Sequence, residues 1–268
     1  MKIGILTLRL FKNYGGILQN YALSRFLQKN GYDVETINIV WSYQLNGVKK
    51  YFVWLKRLVR NMLIGKWYSL DEEKILRNNE LVAAQRVNAF KEKNIPLSQK
   101  VYSLPGADFS DISNKYDTII VGSDQVWRPK YTGGIEKYFL SFADNRIKKI
   151  AYSASFGTDK NEYSFYEKWV CGKLIKRFDA ISVREESAIS LIREQLHWDV
   201  DVIQTLDPTM LLDITDYKSL VGQVVNNNKI FVYILDSSVQ KISFVEKLEK
   251  VCRDLLSHQR EWTTKAHT

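Results

Sequence analysis

KYDTIIVGSDQVWRP (115–129) sets a short run of β-branched residues, Thr118 to Val121, directly against a glycine and three polar side chains, Ser123, Asp124 and Gln125. A brief apolar run that ends at a turn signal reads as a strand buried on both faces. A chain that leaves such a strand through Gly122 and at once presents a hydroxyl, a carboxylate and an amide is making either a turn or a binding edge. Asp124 has the chemistry to orient a hydroxyl or take its proton. Trp127, just behind, reads as core in preference to a stacking platform.

The rest of the chain repeats this punctuation. KIGILTL (2–8) opens as a strand, NYGG (13–16) turns, and ILQNYALSRFLQKNG (17–31) has helical spacing with Gly31 as a C-terminal cap. DVETINIV (33–40) alternates like a strand, completing a βαβ opening. DTIIV (117–121), KKIAYSA (148–154), DAISVR (179–184) and DVIQTL (201–206) read as further strands, with helices near 162–177 and 185–196. Such alternation predicts an α/β, Rossmann-like fold, a mainly parallel sheet with flanking helices. Residues 41–100 read as a basic, aromatic helical insertion, within a first domain at 1–225. KIFVYIL (229–235) and a helix at about 239–256 read as the start of a second Rossmann-like domain at 226–268, whose remainder is expected to be missing.

Ligands of parallel sheets bind beyond the carboxyl ends of the strands, so four strand ends matter most. Gly15 and Gly16 would let a substrate approach the backbone at a helix N-terminus, or simply form a tight turn; the stretch is neither GxGxxG nor a P-loop. Ser123, Asp124 and Gln125 form the second group. Ser155, within SASFG (153–157), fits a nest of N–H groups for an anion, without the GxSxG elbow of a serine nucleophile. Arg184, where a strand meets a helix, suits a bidentate grip on phosphate or carboxylate, or a salt bridge to Glu185 or Glu186. LDPTMLL (206–212) reads as a rigid turn.

Composition narrows the classes. Cys171 and Cys252 are far apart and read as core thiols; His197, His258 and His267 have no metal-ligand spacing, so no metal site is expected. The N-terminal MKIGILTLRLF is too short for a signal peptide, and no run approaches ~18 apolar residues, so a cytoplasmic protein is expected. The formal net charge of +9 lies in residues 1–70, which hold 11 Lys and Arg against two acids; the remainder balances. That asymmetry suits an anionic partner. VKKYFVWLKRLVRNMLIGKW (48–67) carries six positive charges and no acid. It reads either as a helix in peripheral contact with an anionic membrane, at the inner face of the plasma membrane, or as a helix packed on its own domain. No nucleic-acid motif accompanies the charge, so no nucleic-acid partner is expected.

Five stretches in order, GILTLRLFKNYGGILQNYAL, DTIIVGSDQVWRP, YFLSF with KIAYSASFG, FDAISVREESA and LDPTMLL, resemble the polysaccharide pyruvyl transferase family. The resemblance implies the N-terminal half of a two-domain, GT-B-like transferase with two Rossmann-like halves facing a cleft. It implies transfer of the pyruvyl group of phosphoenolpyruvate onto two hydroxyls of a glycan or lipid-linked sugar, as a cyclic ketal in a bacterial exopolysaccharide, capsule or wall glycan. Phosphoenolpyruvate is then a donor substrate and no cofactor is needed. Arg184 is expected to bind the donor and Asp124 to act as catalytic base. Gly15, Gly16, Ser123, Gln125 and Ser155 are expected to contact substrate. The Thr-Asp-Ser-Phe-His-Gly-like motif of the family, whose histidine is its expected acid, does not occur in the sequence. Two alternatives remain: a nucleotide-sugar glycosyltransferase on the same scaffold, and a non-catalytic, truncated glycan-binding half.

Overall fold

The structure is a computed structural model that describes residues 1–11, 13–41, 85, 87–104, 107–221, 232, 234 and 238–255. Met1–Asp213 form one compact unit and Ile214–Thr268 another. The first is built on seven strands: β1 (Lys2–Leu6), β2 (Asp33–Trp41), β3 (Leu97–Leu104), β4 (Thr118–Val121), β5 (Lys148–Ala154), β6 (Ala180–Val183) and β7 (Ile203–Gln204). They form a single sheet in the order β3-β2-β1-β4-β5-β6-β7, and every pair is parallel. This is the doubly wound α/β arrangement that the alternating sequence predicts.

Strand chemistry follows depth in the sheet. All four residues of β4 are buried, as are Ile3 to Leu6 of β1, since helices cover both faces. β3 is a correction to the expected helical insertion at 41–100, because a strand begins at Leu97. LSQKVYSL exposes Gln99, Lys100 and Val101 and buries Ser98, Tyr102 and Leu104, as befits an edge strand. Its polar outward residues hid it from a search for apolar runs. The membrane-contact reading of 48–67 lies outside the described residues. So does the strand expected at 229–235, at all but two positions.

Helices of this unit are α1 (Tyr14–Lys29), α2 (Pro129–Thr132), α3 (Ile135–Tyr138), α4 (Phe165–Ile175) and α5 (Glu186–Ser190), which continues as a π-helical turn to Gln195. The second unit holds α6 (Ile214–Lys218) and α7 (Val239–Leu255). No helix among the described residues is long and apolar enough to cross a membrane.

An aromatic cluster lies under the carboxyl half of the sheet. Trp127 is fully buried, stacks on Phe139 with ring centroids 5.0 Å apart, and meets Phe156 at 5.6 Å. Tyr163 and Trp198 complete the cluster, 5.4 Å apart and edge to face. Truncating a ring so enclosed costs roughly 3–5 kcal/mol. Trp127 is therefore the anchor of the GSDQVW turn. Cys171 is buried and its thiol is pushed up by that burial, as a core residue should be.

Candidate active site

The winding of the sheet reverses between β1 and β4: from β1 the chain passes through α1 to β2 on one side, while β4 to β7 extend on the other. Beyond the carboxyl ends of two such strands the loops part and leave a crevice. The groups after β1, β4, β5, β6 and β7 converge here.

Gly122 makes the exit from β4 feasible. Its φ is +134°, and a Cβ at this position would stand 2.1 Å from the carbonyl oxygen of Tyr152 on β5. Only glycine accepts both conditions. Ser123 then lies buried, and the Asp124 carboxylate faces Asn13 and Gly16 at the start of α1. One carboxylate oxygen of Asp124 accepts the Gln125 N–H at 2.8 Å, and the other accepts the Asn13 amide at 3.1 Å. Asn13 is also the N-cap of α1, accepting the Gly16 N–H at 3.2 Å. One side chain thus ties the start of α1 to the loop after β4.

The two glycines differ. Gly15 is exposed, whereas Gly16 is buried and a Cβ on it would lie 2.7 Å from Asp124 Oδ2. The Gly16 N–H is committed to the cap, so what this residue supplies is space for the carboxylate.

Ser155 owes its position to an irregularity of β5. Ala151 pairs with Ile181 and Ala154 with Val183, so three steps on β5 match two on β6. At this bulge Ser153 takes a φ of +50° and donates its N–H to Ser182 Oγ at 2.9 Å. Bulges re-aim the residues that follow. Ser155 Oγ accepts from the Gly157 N–H at 2.9 Å and from Arg184 Nη2 at 3.3 Å, and donates to Glu185 Oε1 at 2.5 Å. The N–H group expected for an anion therefore faces the Glu185 carboxylate. Gln125 reaches over Gly157, where its Oε1 accepts from Arg128 at 3.3 Å. Arg128 is itself held by Glu162 through two bonds of 3.0 and 3.1 Å. Arg128 and then Lys130 pull the Glu162 carboxyl down to about 2.

Arg184 occupies the centre. Its Nε meets Glu185 Oε2 at 3.4 Å and its Nη1 meets Asp207 Oδ2 at 3.5 Å. The salt bridge to Glu185 and the strand-end position are thus both realised. All three contacts of the guanidinium are long, and its side chain keeps 29% of its exposure. A guanidinium so loosely held retains donor capacity for an anion.

Asp207 is the residue that sequence reasoning missed. The segment 206–212 contains a turn, as expected, with Asp207 capping the 3-10 turn Pro208–Met210 through the Thr209 N–H at 3.0 Å. Its second oxygen also draws together Gln19 of α1, Ser123 after β4 (3.4 Å) and Arg184 after β6. The strand-end rule applied to Asp124 would have found it, since Asp207 follows β7. Gln19, one turn beyond Gly15 and Gly16, was legible by helical spacing. Its Oε1 is buried without a hydrogen-bond partner among the described residues.

Two more cations lie on this edge. Arg9, in the loop between β1 and α1, packs on Phe11 at 4.1 Å, and Lys91 donates to the Leu10 carbonyl in the same loop at 2.7 Å. Burial, followed by the Arg9 charge, pushes the Lys91 ammonium below its ordinary range.

The site therefore combines a loosely held guanidinium with carboxylates that accept hydrogen bonds from hydroxyl and amide groups, at the switch point of a doubly wound sheet. That defines a Rossmann-like unit with a polar, charged crevice at its switch point. The chain belongs to the polysaccharide pyruvyl transferase family, whose model matches residues 13–264, nearly the whole chain. The match runs well beyond Leu212, where the last of the five resembling stretches ends. No curated protein and no solved structure matches the chain.

Proposed function

We propose that this protein takes part in pyruvyl transfer from phosphoenolpyruvate to a sugar of a bacterial surface polysaccharide, within the pyruvyl transferase function that its family indicates. The observation that carries this reading is the contact of Arg184 with Asp207, which also holds Ser123, the neighbour of Asp124, at the same strand-end edge. Phosphoenolpyruvate brings a phosphate and a carboxylate, which Arg184 can grip once they displace its long contacts to Asp207 and Glu185. The acceptor brings two hydroxyls, which carboxylates orient.

In the overall step, two C–O bonds form at C2 of the enolpyruvyl group and the C2–O bond to phosphate breaks. The methylene carbon gains one proton and becomes a methyl group. The two acceptor hydroxyls supply two protons, one balancing the methyl group and the other leaving on inorganic phosphate. Asp124 takes a hydroxyl proton in this scheme, and Ser123, Ser155, Gln125, Gly15 and Gly16 line the crevice. Protonation of the methylene carbon requires a further acid, a role assigned to no residue of this cluster.

Calorimetric titration with phosphoenolpyruvate tests the donor assignment. The wild-type chain is expected to bind, Arg184→Lys to bind more weakly, and Arg184→Ala to lose binding while keeping its melting temperature within a few degrees. Equal binding by wild type and Arg184→Ala overturns the role of Arg184. Inorganic phosphate release in the presence of a galactoside acceptor, and its loss in Asp124→Ala, tests the catalytic half.

A further inference from the structure

Helix α4 turns an unusual face to solvent. Ser164 and Glu167 form a capping box that starts it, and Cys171 and Ile175 are its buried side. Phe165, Tyr166 and Trp169 are 89%, 69% and 54% exposed. At 100° per residue these three share one face with Lys173 and Lys176, both exposed. Lys173 Nζ rests 3.7 Å from the centre of the Trp169 ring. The face carries no acid, since Glu167 lies around the helix and is bonded to Ser164. A soluble domain ordinarily fills the outward side of a sheet-covering helix with polar residues, and three large rings there mark a contact surface.

We infer that this face of α4 docks on an anionic lipid surface. Exposed aromatic rings with lysines interleaved are the chemistry of an interfacial helix: the rings enter the headgroup region and the ammonium groups meet lipid phosphates. The position of α4 gives the contact a purpose. It is the crossover from β5 to β6, so its N-terminal end, with Phe165 and Tyr166, lies at the carboxyl edge of the sheet. That is the edge that carries Ser155 and Arg184. Docking by these rings holds the crevice beside the headgroups, where a lipid-linked sugar is presented. The inference stands on the surface itself and does not require the pyruvyl transfer chemistry.

Flotation of the full chain with vesicles tests it. Vesicles of phosphatidylglycerol and phosphatidylcholine are compared with phosphatidylcholine alone, at low and high salt. Two surface variants, Phe165→Ser with Trp169→Ser, and Lys173→Glu with Lys176→Glu, are floated beside wild type, with circular dichroism as the check on folding. The wild-type chain is expected to float with anionic vesicles and to be released by salt. Each folded variant is expected to lose about tenfold or more in partitioning. Wild-type binding that both folded variants retain would place lipid contact elsewhere and overturn the inference. Absence of wild-type flotation at low salt overturns it as well. A variant whose only change is from dimer to monomer in sedimentation would assign the face to a second copy, and that too is a refutation. Should one pair fail to fold, the other decides alone.

Discussion

Substituting Gly16 by alanine isolates the contact that sets Asp124 in place. The new Cβ would stand 2.7 Å from Asp124 Oδ2 and 3.2 Å from Asn13 Nδ2, where ordinary contact begins at 3.4 Å. Asp124 and the Asn13 cap must therefore give way together. Disturbing an N-cap and a charge-assisted hydrogen bond costs about 1–2 kcal/mol. Replacing glycine by alanine in a helix returns roughly 0.5–1 kcal/mol. The net expectation is a loss of about 1 kcal/mol, or ~2–4 °C in melting temperature for a domain of this size. The sign should reverse once the carboxylate is gone. In an Asp124→Ala background, Gly16→Ala is expected to be neutral or stabilising by up to ~1 kcal/mol. A double-mutant cycle by urea denaturation then shows a coupling of about 1–2 kcal/mol. Gly15→Ala is the control, since its Cβ would meet only Asn13 Oδ1 at 3.3 Å. It should show no coupling to Asp124. If Gly16→Ala costs the same with and without Asp124, the carboxylate does not sit against α1 and the geometry of the site is wrong.

Gly122→Ala is a sharper test of the fold: a Cβ 2.1 Å from a backbone oxygen at φ +134° is expected to cost 3 kcal/mol or more (about) and to be the most damaging small substitution at this edge, read by denaturant midpoint. Asp124→Ala should lower phosphate release far more than it lowers the melting temperature; parallel loss of both would make Asp124 a turn residue only. The Glu162 carboxyl is held down to about 2 by Arg128 and Lys130, so its folded value lies below its unfolded one. Its contribution to stability is full above the ordinary carboxylate range and fades as pH falls from about 4.5 toward 2. Glu162→Gln should flatten that part of the acid stability curve; an unchanged slope would deny the ion pair.

The sequence by itself determined the alternation of strand and helix, and with it the parallel sheet. That information is local: β-branched runs such as Thr118–Val121 admit burial on both faces, and the glycine after them ends the strand. It also marked Trp127 as core and Asp124 and Arg184 as strand-end groups, because residue type and position along a strand suffice for that. Strand order did not follow from the pattern, since each parallel pair is joined through a helix and nothing in the intervening chain names the neighbour. The tertiary structure therefore decided what meets what. Asp207 became the hub of the crevice only because β7 lies on the far edge and its loop returns over β4 and α1. The aim of Ser155 depends on a one-residue mismatch between β5 and β6, a relation between two strands that neither one encodes alone. Gly16 reads as a turn residue in the chain. Its function as a space for a carboxylate 108 positions away exists only once α1 and the β4 loop are packed together.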